Sequence, residues 1–146
     1  MLTFNIPAPF SYGFSFYTVI DIPGGFVYAA IQSENRSKPR LWVFQVDLDD
    51  AFAIESYLSL SHDDLVPLEQ LFSTAGVVKK ITASFGEGSD TISIFKANGT
   101  VTITKSDDYL DIPPCAHEEF LQMLKAAKTV LAEEEEKDDS EWDTVL

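Results

Sequence analysis

The dipeptide Asn98-Gly99 sits between two alternating runs, residues 90–97 and 100–105, and constrains this chain more than any other feature. A two-residue hairpin turn that follows the twist of its strands needs positive φ at both central positions, which asparagine and glycine supply at little cost. The two runs are therefore antiparallel neighbours, with Ile94 opposite Ile103 and Phe95 opposite Thr102. Gly86-Glu87-Gly88-Ser89 reads as a four-residue turn joining a further strand, residues 77–85, to the same meander. Ile81 then joins Ile94 and Ile103 on an inner face. Thr82, Ser93 and Thr104 fall on the outer face, with Lys80, Phe95 and Thr102 in a row beside them. Pro113-Pro114 introduces a helix whose positive end suits Glu118 and Glu119. Phe120, Leu124, Ala127 and Leu131 form its apolar stripe, flanked by Leu121.

The first half repeats this plan. Phe10, Tyr12, Phe14 and Phe16 alternate with small residues, which gives a strand with one aromatic face that continues through Ile20. Pro23-Gly24-Gly25 is a turn, residues 26–32 a second strand, 33–39 a polar, basic loop and 41–46 a buried third strand. Residues 51–60 fit either a strand or a short helix capped by Asp49 or Asp50, and the alternation of Phe52, Ile54, Leu58 and Leu60 favours the strand. A helix over residues 64–75, capped near Asp64 so that Pro67 falls in its first turn, ends at Gly76. The expected fold is α+β: two halves, each of three or four strands followed by a helix, with antiparallel sheets packed on two helices. The halves span about 1–76 and 77–131 of a single domain, and 132–146 is an acidic tail, either a helical extension or disordered.

Charge supports that division. The chain carries 24 acidic and 10 basic residues, a net charge of −14 and a pI near 4.2. Half of the excess, −7, lies in the tail AEEEEKDDSEWDTVL. Such a run repels itself and cannot bury enough apolar surface to fold alone. Its Trp142, Val145 and Leu146 nonetheless give it anchors for a basic partner. The partner-binding set is Glu133, Glu134, Glu135, Glu136, Asp138, Asp139, Glu141, Trp142, Asp143 and Leu146. A single cysteine excludes an intramolecular disulfide framework, no apolar run is long enough to span a bilayer, and no lysine or arginine precedes Arg36. The expectation is a cytoplasmic protein in a reducing compartment, with no signal peptide and no membrane contact.

Catalytic chemistry finds no foothold. His62 and His117 are 55 residues apart, in no metal-ligand spacing. His62-Asp63-Asp64 suits a helix start. Asp107, Asp108 and Asp111 lack the glycine and glutamate of a calcium loop. Cys115 has no histidine placed by sequence to activate it, and Gly86-Glu87-Gly88 is not followed by the lysine of a phosphate-binding loop. The sequence predicts a non-enzyme without metal or cofactor. Its aromatics, 12% of the chain, exceed what one inner face requires. Strand aromatics flanked by cations are how single-strand binders stack bases and hold phosphates. The residues that fit this pattern are Tyr12, Phe14, Tyr17, Arg36, Lys38, Arg40, Trp42, Lys80, Phe95, Lys96 and Lys105.

Strands then helix, twice over, resembles the Whirly and PUR-type single-stranded-DNA-binding fold. The segment from Leu110 to Leu121, LDIPPCAHEEFL, is similar to that family's exit from strand to helix through a proline and an acidic-aromatic pair, here Glu119-Phe120. The resemblance implies strands that hold nucleic acid, helices that assemble subunits into a homo-oligomer, and structural roles for Glu119 and Phe120. The chain departs from it in having no basic signature strand. The acidic tail resembles those of bacterial and phage single-strand-binding proteins, which recruit replication partners and compete with DNA.

The function expected is an accessory protein that binds single-stranded DNA or RNA and recruits a basic protein through its tail. An acidic protein-interaction module is the alternative: an immunity protein, an inhibitor or a nucleic-acid mimic, with Asp47, Asp49, Asp50, Asp63 and Asp64 converging on one surface. A sliding-clamp-like half-domain is a third, although its helix over 64–75 lacks lysines to line DNA.

Overall fold

The computed structural model describes residues 14–32, 39–47 and 53–145, with the side chains of 18–31, 39–47 and 56–133. They form two four-stranded antiparallel meanders, each followed by a helix, which is the α+β class expected. The first sheet runs β1 (Phe14–Ile22), β2 (Gly25–Gln32), β3 (Arg40–Asp47) and β4 (Ala53–Leu60) in spatial order, and α1 (His62–Ala75) follows. The second runs β5 (Ile81–Phe85), β6 (Ile92–Ala97), β7 (Thr100–Lys105) and β8 (Asp108–Ile112), and leads to α2 (His117–Val145).

β2 and β3 read as near-continuous apolar runs because both of their faces are buried. Val27, Ala29, Ile31, Leu41 and Val43 point into the main core, while Phe26, Tyr28, Ala30, Phe44 and Val46 form a second cluster on the opposite face. Residues 53–60 are a strand, paired to β3 across a bulge between Gln45 and Val46.

In the second sheet the Asn98-Gly99 hairpin has the expected register, and both of its central residues have positive φ. The preceding connection differs. A 3₁₀ turn over Gly88–Asp90 lengthens it, so Ala83 rather than Ile81 lies opposite Ile94, and Thr82 rather than Lys80 lies beside Phe95. A shift of two residues keeps every side chain on its expected face. The strand also starts later than expected: Val77 is 85% exposed, in the turn after α1.

The N-cap of helix α1 lies three residues before the expected one. Ser61 is the N-cap and Asp64 is the third helical residue, and the two exchange reciprocal hydrogen bonds of 3.2 and 3.0 Å. Pro67 therefore lies in the second turn and forgoes one helical hydrogen bond there. At the other end the Lys96 ammonium donates to the carbonyls of Ala75, at 2.6 Å, and Val78, at 2.9 Å. That places a cation where the helix dipole is negative and satisfies terminal acceptors.

The helices are exchanged between the halves. α1 lies against β5 and β6 of the second sheet, α2 lies against β1 and β3 of the first, and the two helices pack on each other. A 2.8 Å ion pair between Lys128 and Glu69 joins them. Leu65, Leu68, Phe72, Phe120, Leu124, Ala127 and Leu131 thus share one core with the inner faces of both sheets. The sheets meet edge to edge at β4 and β8, without a backbone ladder. Side chains bridge the seam: the Asp111 N–H donates to Gln45 Oε1 at 3.0 Å, and Lys105 donates to the Ser59 carbonyl at 2.8 Å.

Candidate nucleic-acid interface

With its inner face in the core, the second sheet turns the alternate residues of β5–β8 outward. Cross-strand pairing sets these in two rows. One holds Thr82, Phe95, Thr102 and Asp111, and the other Ser84, Ser93, Thr104 and Tyr109. Phe95 is 41% exposed and Tyr109 37%. Two strand spacings and two residues of rise set them roughly 12 Å apart. The one charged side chain in these rows, Asp111, accepts a 2.7 Å hydrogen bond from the Thr102 hydroxyl. The face is a hydroxyl-rich platform carrying two aromatic rings, and exposed Lys79 and Lys80 precede its edge strand.

The other sequence-predicted cations are disposed differently. Lys96 and Lys105 lie on the inner side of their strands and donate to the α1 terminus and to Ser59. Arg40 also donates to Ser59, through its hydroxyl and its carbonyl. These three head groups close the fold and do not join Lys80 and Phe95 on the platform. Trp42 is half-buried on the outer face of the first sheet, in a ladder of rings that runs through Tyr57, Phe44 and Tyr28 at centroid spacings of 5.7–6.0 Å. Tyr57, 42% exposed, stands between Trp42 and Phe44 in that ladder. Tyr12, Arg36 and Lys38 lie outside the described residues, as do the side chains of Phe14 and Tyr17.

Among the described residues, Tyr57 and Tyr109 are the exposed aromatics that sequence reasoning missed. Both lie at alternate positions of segments whose strand character was ambiguous or masked by acids. In the tail, Glu133 is exposed and the helix backbone continues to Val145, but Leu146 and the side chains from residue 134 onward lie outside the described residues. Of the acids expected to converge in a charge mimic, Asp64 is engaged in capping α1, and Asp49 and Asp50 are outside the described residues. Among the described residues, no group of three or more metal-ligating side chains converges and no helix is long and apolar enough to cross a membrane.

His117 sits where the helices meet. Its ring stacks on Phe72, with centroids 4.2 Å apart, and its Nε2 is buried without a hydrogen-bond partner. Burial first, and Lys96 second, hold its pKa below the ordinary 6.5, against opposing effects of a hydrogen bond to the Phe72 backbone and the Glu118 carboxylate. The unfolded chain therefore binds this proton more readily, and stability present above pH 6.5 is lost as pH falls through and below that value. The urea midpoint is expected to fall between about pH 7.5 and about pH 5.5, where an unperturbed imidazole gains its proton. It should fall less in His117→Gln, and an equal fall in both proteins would show that other groups carry the effect. No protein-family model matches the chain, and no curated protein matches it in sequence.

Proposed function

We propose that the protein is a non-enzymatic accessory protein that binds single-stranded DNA or RNA on the outer face of its second sheet. The acidic C-terminal helix recruits a basic partner and competes with nucleic acid. The observation that carries this reading is the pair Phe95 and Tyr109, exposed on a platform of threonine and serine beside Lys79 and Lys80. Aromatic faces stack on any base, hydroxyls donate to phosphate and sugar oxygens, and the lysines supply charge at the rim. The doubled plan of strands and helix supports the same reading through its resemblance to Whirly and PUR-type proteins.

Fluorescence anisotropy with a labelled single-stranded oligonucleotide tests it. Phe95→Ala or Tyr109→Ala should each weaken binding by roughly tenfold, within the ~1–3 kcal/mol of a base–aromatic stack. Replacing Glu133, Glu134, Glu135 and Glu136 by glutamine should tighten binding, most of all at low salt. Affinity that neither aromatic substitution changes would remove the platform from the reading.

A second reading, an acidic module that binds a basic protein, draws on the net charge of −14 and on the commitment of Arg40, Lys96 and Lys105 to hydrogen bonds within the fold. Absence of oligonucleotide binding even at low salt would select it.

A further inference from the structure

The four sheet edges are treated unequally. β4 and β8 meet at the bridged seam, and β1 carries a bulge between Phe14 and Phe16 as well as Asp21. β5, the remaining edge, has none of the usual protection. Its sequence, ITASF, contains no charge and no proline, its register with β6 is unbroken, and no backbone group on its outer side has a partner among the described residues. Thr82 and Ser84 are exposed, and Ile81, Ala83 and Phe85 are half-buried. Natural proteins block such edges with charges, proline or bulges, because an uncovered edge recruits another strand.

We infer that β5 pairs with β5 of a second copy of this chain, antiparallel about Ala83. The edge is complementary to itself in that arrangement and in no parallel one. Counting outward from Ala83, Thr82 meets Ser84, Ile81 meets Phe85, and Lys79 meets Glu87 of the second copy, twice by symmetry. Lys79 and Glu87 are both exposed, stand at opposite ends of the strand within one chain, and are too far apart to pair there. Glu87 makes no capping hydrogen bond to the 3₁₀ turn it precedes, so its carboxylate is available. Pairing would complete the edge hydrogen bonds, cover Ile81 and Phe85, and fuse the two second sheets into one of eight strands. The inference is independent of whether that sheet binds nucleic acid.

Sedimentation velocity on the full chain over a range of concentrations tests it. A salt concentration of about 0.15 M screens repulsion between exposed charges beyond ~8 Å. The expected result is a concentration-dependent dimer. Lys79→Glu and Glu87→Lys should each weaken it by roughly tenfold, since each turns two attractive surface pairs into repulsive ones. The double exchange Lys79→Glu/Glu87→Lys should restore it, which a general effect on folding would not do. Thr82→Lys/Ser84→Lys, which sets lysine opposite lysine, should give a monomer. A monomer at every concentration, a dimer indifferent to Thr82→Lys/Ser84→Lys, or failure of the double exchange to restore dimerisation would overturn the inference.

Discussion

Cutting the chain between Gly76 and Val77 is expected to leave two fragments that do not fold separately. The cut falls at the repeat boundary, where two independent modules would tolerate it. The exchanged helices forbid that. Residues 1–76 would carry α1 away from β5 and β6, and leave the inner faces of β1 and β3 without α2. Leu65, Leu68 and Phe72, all fully buried in the intact chain, would lose the part of their core that α2 and the second sheet supply, including the His117 and Phe120 rings against Phe72. Each such side chain contributes about 1.5–3 kcal/mol when buried, and a domain's net stability is only about 5–15 kcal/mol. Circular dichroism and NMR should show little tertiary structure in either fragment alone, and native-like dispersion when the two are mixed. A folded residue 1–76 fragment would show that the exchange is not required for stability.

Gly25→Ala should be the most damaging single methyl addition in the first sheet. Gly25 is buried at the start of β2, and a Cβ there would fall on the Val46 carbonyl oxygen of β3. The obstacle is backbone, so no side chain can rotate away, and either the β2–β3 ladder or the β3 bulge must move. A loss of about 3 kcal/mol or more is expected, by the usual cost of overpacking. That corresponds to a drop in Tm of roughly 6–12 °C for a domain of this size. Gly24→Ala is the control. Its φ is +82° and its surroundings are open, so only the left-handed backbone cost of about 1–2 kcal/mol applies. Equal losses at both positions would mean that conformation, rather than close approach, governs Gly25.

The contrast between these glycines also shows what a sequence can disclose. Pro23-Gly24-Gly25 announces a turn by its composition, but nothing in it tells that Gly25 must let another strand's carbonyl come close. The Asn98-Gly99 hairpin was legible because its backbone requirement selects its residues. The connection after β5 was not, since an inserted 3₁₀ turn over Gly88–Asp90 has no comparable signature, and the register moved by two. β8 was hidden by Asp107, Asp108 and Asp111, whose charges obscure the alternation of Tyr109, Leu110 and Ile112. At the start of α1 the position of Pro67 points to Asp64 as the cap, whereas Ser61 with Asp64 three residues on forms the capping box.

At the candidate interface, strand alternation alone places Phe95 opposite Thr102 on the outer face, whereas Lys80, expected beside Phe95, precedes the strand and yields that place to Thr82. The fates of Lys96, Lys105 and Arg40 could not be read that way, because their partners are carbonyls 18–46 residues away that only the tertiary fold brings near. Alternation assigns a lysine to the inner side of a strand, but not the helix end that awaits it there.

The placement of α2 against β1 also sets the order in which this protein can be completed during synthesis. The meanders are built from neighbouring hairpins and can form as they leave the ribosome. β1 nevertheless lacks its covering helix until about 100 further residues have been translated, a delay of roughly 5–20 s at ordinary elongation rates. Throughout that interval the nascent first sheet exposes Ile20, Val27, Ala29 and Val43, and it is then that the chain has most need of a chaperone.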